Sequence, residues 1–292
     1  MSQSEKHRIQ KHFNAKALYY ESSAVLQRSV CEELLQRLDF TRLNPSVILD
    51  VGCGTGWGTQ GLLKKYRKSK VLSLDLSSEM LKQTKSKGSW LRRPTLICAD
   101  AEDIPLRDES VDLVFSNLML QWCDYKKVFA EFKRILKPDG LLMFSTFGPD
   151  TLKELKQSWA QVDENAHVND FTDMHDLGDE LMQAGLAEPV MDMDLLTLTY
   201  KDVLSVMTDL KAIGANTILK NQKKAAEQGL VTPGKLKRVI AHYEQFRKEG
   251  IVPASYEVVY GHAWKTAQRA TKISSQGSSQ PEFSIAVDQI KK

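Results

Sequence analysis

With 292 residues, 42% of them hydrophobic and 26% charged, the chain can bury a full core and is neither disordered nor fibrous. Its 40 basic and 37 acidic residues leave a formal charge of +3, too balanced for a protein that lives on phosphate backbones, so no nucleic-acid partner is expected. Cys31, Cys53, Cys98 and Cys123 form no C-x-x-C pair, which points to free thiols rather than a zinc cluster or a disulfide framework, and no metal is expected. The opening MSQSEKHRIQKHF has no apolar h-region and nowhere do about 18 apolar residues run together; the expectation is a cytoplasmic protein without a membrane partner.

Residues 5–38 place Ile9, Phe13, Ala17, Tyr20, Ala24, Leu34 and Leu38 at helical spacing. This predicts one or two amphipathic helices, an N-terminal cap over 1–44. From residue 47 the pattern changes to short apolar runs separated by helical stretches: VILDV, VLSLDL, TLICAD, VDLVFSN and LLMFSTF. Runs buried on both faces need not alternate with polar residues, so the succession predicts a parallel sheet with helices on both sides. Helices are expected at 58–66, at 77–87 behind the N-cap Ser77-Ser78-Glu79, and at 124–136, where Lys137-Pro138-Asp139-Gly140 is a stop signal. Two late strands, around 188–199 and 255–264, bring the count to seven in a doubly wound, mostly parallel α/β sheet. The core is therefore placed at 45–199, a helical insertion or lid with a turn at Gly229–Gly234 at 200–250, and the last core strand at 251–267. The polar, Ser/Gly-rich stretch 268–281 reads as a flexible linker to the tail FSIAV within 268–292.

VILDVGCGTGWGT sets a glycine-rich turn directly after a buried strand and directly before a helix. Gly52, Gly54 and Gly56 permit positive φ and let a ligand approach the backbone, and open α/β sheets bind ligands at the carboxyl ends of their strands. A dinucleotide site is the competing reading of such a turn, but the spacing here is G-x-G-x-G behind Asp50 rather than G-x-G-x-x-G. Two further carboxylates close the next strands: Asp75, followed by Leu76, and Asp100, followed by Ala101. A carboxylate at the end of the second strand can accept from both hydroxyls of a ribose, and one at the end of the third from an adenine amino group. Asp50 and the backbone at Gly52 are read as holding a methionine end, with Asn117 beneath the ligand. Cys53 and Trp57 are assigned to packing. The motif resembles the first motif of the class I methyltransferases, whose Rossmann-like sheet also ends in two late strands; this implies S-adenosyl-L-methionine as cofactor.

The segments FNAKALYYESSAVLQ, SNLMLQWC, FSTFGPDTLKEL and HVNDFTDMHDLGDEL, with PVMDMDLLTLTY, LKAIGANT and SYEVVYGHAW after them, are similar to the malonyl-acyl-carrier-protein O-methyltransferases of biotin synthesis. The resemblance runs from about residue 5 to 265. It implies transfer of a methyl group to the free carboxylate of a malonyl thioester on acyl carrier protein, or on coenzyme A. The acceptor is then already an anion and no general base is needed, so catalysis is positioning and exclusion of water. Tyr20, His167 and Asn169 are the residues expected to hold the malonyl carboxylate. Asp173, His175 and Asp176 are expected to cap a helix. Lys220, Lys223 and Lys224, or Lys235, Lys237 and Arg238, are the basic runs that could meet an acidic carrier. The rival readings are a methyltransferase for another small carboxylic acid and a non-methylating assembly factor that keeps the cofactor fold.

Overall fold

The computed structural model describes residues 2–212 and 232–266. The basic run Lys220–Lys224, most of LKAIGANT, the start of the turn at Gly229 and the linker with its tail lie outside the described residues. The N-terminal region is three helices rather than one or two: α1 (Gln3–Lys16), α2 (Tyr20–Ser23) and α3 (Val25–Arg37). A capping box starts α1, with Ser2 accepting from the Glu5 amide at 3.4 Å and Glu5 accepting from the Ser2 amide at 3.0 Å. The apolar spacing survives both breaks, which is why periodicity alone hides them: Ala24 leaves helical geometry at ψ 39° while remaining buried.

The strands are β1 (Val47–Val51), β2 (Lys70–Asp75), β3 (Thr95–Cys98), β4 (Val111–Asn117), β5 (Leu136–Phe147), β6 (Ala187–Tyr200) and β7 (Val252–Lys265). They form one sheet in the order β3-β2-β1-β4-β5-β7-β6. β1 to β5 are parallel and β7 runs antiparallel between β5 and β6. Between them lie α4 (Trp57–Lys65), α5 (Ser78–Thr84), α6 (Tyr125–Ile135), α7 (Lys153–Ala160), α8 (Met174–Gln183), α9 (Val203–Ala212) and α10 (Pro233–Tyr243). The stop at Lys137–Gly140 is absorbed into β5 as an irregularity: pairing with β4 jumps from Val111↔Leu136 to Leu113↔Leu141, and Asp139 takes φ 61°.

Each face of the sheet carries its own apolar layer. On one side Leu26, Val30 and Leu34 of α3, Leu62 of α4 and Tyr243 of α10 pack against Ile48, Leu113 and Leu141. On the other, Phe129, Phe132 and Ile135 of α6 and Leu177 and Leu181 of α8 pack against Leu49, Val114 and Leu142. This double burial explains the unbroken apolar runs of the central strands. β1 lies between β2 and β4, where the order of strands reverses, so the crevice of the sheet opens at the carboxyl ends of β1, β2 and β4.

Across the β5–β7 pair, Phe144 faces Gly261, and its ring fills the space a side chain would take; Met191 of β6 adds its sulfur from the other side. A Cβ at Gly261 would fall inside the Phe144 ring and 2.9 Å from Met191 Sδ. Gly261→Ala is expected to cost about 1–3 kcal/mol as overpacking, read as a lower urea midpoint; an unchanged midpoint would contradict this packing.

Candidate active site

The glycine turn is built by positive φ at Gly52 (69°), Gly54 (53°) and Gly56 (91°). Its amides are tied inward: Gly52 N and Cys53 N both donate to Leu74 O, at 2.8 and 3.0 Å, and Gly56 N donates to Cys53 O at 2.9 Å. Gly52 is glycine because a Cβ would lie 2.6 Å from Met119 Cβ. At Gly54 an added Cβ meets nothing within 4 Å, because that position faces open cavity. Gly56 lines neither cavity. It starts α4, and a Cβ there would lie 3.0 Å from Thr84 Cα, so the need for glycine here comes from the shape of the turn.

Asp75, at the end of β2, joins this turn to the next helix. One carboxylate oxygen accepts from Gly54 N at 2.8 Å and the other from Ser77 N at 2.8 Å, while Ser77 caps α5. Burial pushes Asp75 up to about 6, against the pull of those two amides. Asp50 is 2% exposed and accepts from the Thr59 hydroxyl at 2.6 Å. Burial pushes it up to about 7; the Thr59 hydrogen bond opposes the rise and the Asp75 charge adds to it. Two acids whose ionisation burial disfavours make a site suited to a positively charged ligand.

Two adjoining cavities open here. The larger is lined by Asp75, Leu76, Asp100 and Ala101 from the strand ends and roofed by Lys6, Ile9 and Phe13 of α1. The smaller is lined by Asp50, Trp57, and Gln27 and Arg28 of α3. Tyr20, Gly52, Gly54 and Asn117 line both and so mark the junction. Burial, with the Asp75 charge, raises the Tyr20 phenol well above its ordinary value, so it stays a neutral O–H donor. Asn117 is held by two bonds, donating to Gln27 O at 3.0 Å and accepting from Ser145 Oγ at 2.9 Å. After it Leu118 takes φ 48°, its amide donating to Ser145, and this turns the chain under the cavity toward Met119 and Trp122.

Asp100 is not free to await a ligand. Its Oδ2 accepts from Lys6 Nζ at 2.5 Å and its Oδ1 from Glu102 N at 2.9 Å, while Glu102 takes a second bond from Lys6 at 2.6 Å. Gln10 donates to Leu76 O at 2.8 Å, and Asn14 accepts from Ser77 Oγ at 2.6 Å. The cap is thereby fastened along the strand ends. Lys6, Ile9 and Phe13 share one helix face, a pattern visible in the sequence, but their function as a roof is set by where α1 is fastened.

His167 and Asn169 are not brought to either cavity. His167 stacks on Trp159 with ring centroids 3.5 Å apart and bonds Asp163 at 2.7 Å, and Asp163 in turn binds Lys235 of α10 at 2.8 Å. Asn169 is buried, 5% exposed. His167 thus belongs to the packing that joins the segment after α7 to α10. Lys235 and Arg238 contact that same join, Arg238 reaching Gln161 O and Val162 O at 3.5 Å, while Lys237 and Arg238 are exposed. Asp173 caps α8, accepting from His175 N at 2.8 Å.

The fit to S-adenosylmethionine is chemical. A long two-part cleft offers a carboxylate at the strand end for a ribose, an open glycine against which a ligand can lie, and acidic groups for a cation. Residues 49–144 match the family model described as a methyltransferase domain. The YcgJ protein of Bacillus subtilis superposes with a TM-score of 0.58 at 14% identity, over 81% of this chain and 99% of that one. A putative methyltransferase of Bacillus halodurans gives 0.56 at 16%, over 82% and 100%. Fold and site define an S-adenosylmethionine-dependent methyltransferase. Malonyl-[acyl-carrier protein] O-methyltransferases are similar along nearly the whole length: that of Gallionella capsiferriformans is 51% identical over 89% of this chain and 91% of its own. The Laribacter hongkongensis protein is 45% identical over 96% of both, and the Coxiella burnetii protein 39% over 97% and 94%. The chain belongs to the malonyl-[acyl-carrier protein] O-methyltransferase family.

The raised carboxylates give a pH dependence. A cationic ligand favours ionised Asp50 and Asp75, so its binding expels protons wherever the free protein holds them. S-adenosylmethionine affinity should therefore rise from pH 5.5 to pH 8, on the order of tenfold, and level off above about 7. Asp50→Asn should flatten the upper part of the rise. Calorimetry showing the same affinity at both pH values would contradict the ionisation scheme.

Proposed function

We propose that this enzyme methylates the free carboxylate of a malonyl group carried as a thioester on acyl carrier protein, an early step of biotin (pimeloyl) synthesis. The relatives named for that substrate match nearly the whole length of the chain, and the chemistry at the junction suits a carboxylate acceptor. Bound S-adenosylmethionine supplies a methyl carbon made electrophilic by its sulfonium.

The observation that carries the reading is the character of the junction. Among the described residues, the four that line both cavities are Tyr20, Gly52, Gly54 and Asn117, and none of these side chains is a base. An amine or alcohol acceptor has a proton to lose, whereas a malonyl carboxylate at neutral pH has none. Tyr20 takes the positioning role. Its neutral phenol can donate to one carboxylate oxygen, and Phe13, edge-on to Tyr20 at 6.4 Å and to Trp122 at 5.5 Å, surrounds it with rings that keep water out. His167 and Asn169 take a supporting part, holding the wall after α7. Among the described residues, no helix is long and apolar enough to cross a membrane, which suits an enzyme that meets its carrier protein in the cytoplasm.

Incubation with labelled S-adenosylmethionine and malonyl-acyl carrier protein should yield a base-labile methyl ester, with malonyl-coenzyme A as the comparison. Equal labelling of free malonate and other small dicarboxylic acids would replace this substrate by the wider class. Tyr20→Phe should lower turnover about tenfold to a hundredfold, the worth of one hydrogen bond to a charged oxygen, while leaving cofactor affinity within about twofold. Wild-type turnover in that variant would return Tyr20 to the aromatic cluster.

A further inference from the structure

The amino-acid end of the cofactor carries an ammonium and a carboxylate, and the smaller cavity has to meet both. Helix-start glycine loops often bind anions through their amides, but this loop has none to spare among those traced above. Gly52 N and Cys53 N go to Leu74 O, Gly54 N to Asp75 and Gly56 N to Cys53 O. Asp50 is an acceptor and cannot hold a carboxylate. Thr55, Trp57 and Gly58 line the cavity too, so a side chain can share the anion with backbone amides at the start of α4.

Among the described residues lining the smaller cavity there is one cationic side chain, Arg28 of α3. Its guanidinium lies over the Trp57 ring, 4.3 Å from the centroid, and its ion pair is a loose contact with Glu32 at 3.4 Å in which both side chains are more than half exposed. A guanidinium over an indole ring can still offer N–H groups, and its planar fork matches a carboxylate. One residue earlier, Gln27 also lines the cavity, and its Oε1 is buried without a hydrogen-bond partner among the described residues. A buried acceptor left unpaired is a site waiting for a donor. The Gln27 backbone is fixed by the bond from Asn117 Nδ2, at the junction itself.

We propose that Gln27 and Arg28 clamp the amino-acid end of S-adenosylmethionine, Arg28 taking the α-carboxylate and Gln27 Oε1, together with Asp50, taking the α-ammonium. The N-terminal cap thus reads both halves of the cofactor, α1 over the adenosine and α3 at the methionine. This rests on the cofactor assignment and not on the identity of the acceptor.

The test uses two ligands that differ in the clamped part alone. S-adenosylhomocysteine has the amino-acid end; 5′-methylthioadenosine lacks it. Calorimetric titration of both into the full chain should show that Arg28→Ala weakens S-adenosylhomocysteine about tenfold or more. Gln27→Leu should weaken it several-fold, and Arg28→Lys should recover part of the loss. 5′-Methylthioadenosine should bind all variants within about twofold of wild type, consistent with loss of single contacts. Unchanged S-adenosylhomocysteine affinity in Arg28→Ala or Gln27→Leu overturns the clamp, as does a parallel loss of both ligands. Failure of the wild type to bind S-adenosylhomocysteine overturns the clamp and the cofactor assignment together. The expected pattern without methylation of malonyl-acyl carrier protein keeps the clamp and removes the acceptor.

Discussion

The site depends on the carboxylate of Asp75 being half-buried at the end of β2 and held by two backbone amides. Gly54 N fixes the glycine turn to it and Ser77 N fixes the start of α5, so one side chain sets the relative positions of two strand-to-helix connections. Burying a carboxylate is unfavourable, which raises both Asp75 and Asp50 above the usual carboxylate range, and the Asp75 charge adds to the rise at Asp50. The free protein therefore carries strain in electrostatic form. A ligand with positive charge and ribose hydroxyls relieves it, so affinity and order of the turn are two aspects of the same interaction.

The cap completes what the strand ends begin. α1 is fastened by Lys6 to Asp100 and Glu102, by Gln10 to Leu76 O and by Asn14 to Ser77, all around the ends of β2 and β3. These are polar contacts over short distances, not a large apolar interface. They hold a roof in place while leaving it separable from the core, as a site that must admit and release a cofactor requires. Lys6 also pairs with Asp100, so the acid at the end of the third strand faces the cavity as a paired carboxylate rather than a bare charge.

The sheet was legible in the residues because its strands are buried on both faces and its helices are punctuated by caps and by Lys137–Gly140. The glycine turn and Asp75 were legible because local geometry demands those residue types. What was not legible depends on tertiary placement. His167 and Asn169 stand in a segment that resembles the family closely, but the segment packs on Trp159 and Lys235 instead of opening on the cavities. Gln27 and Arg28 gave no signal in the sequence, since a glutamine and an arginine on an amphipathic helix are ordinary surface residues until α3 is laid beside the glycine turn. Gly56 belonged to the motif by spacing, yet its requirement comes from the close approach of Thr84.

The central claim is that Asp75 organises the cofactor site through charge and not merely through shape. Asp75→Asn keeps the size of the side chain, removes the charge and, because an amide nitrogen cannot accept, gives up one of the two backbone bonds. The account predicts that this variant folds, with an unfolding transition as cooperative as wild type, and binds S-adenosylhomocysteine at least about tenfold more weakly by calorimetry, as expected when charge-assisted hydrogen bonds become neutral. Wild-type affinity in a folded Asp75→Asn protein would contradict it.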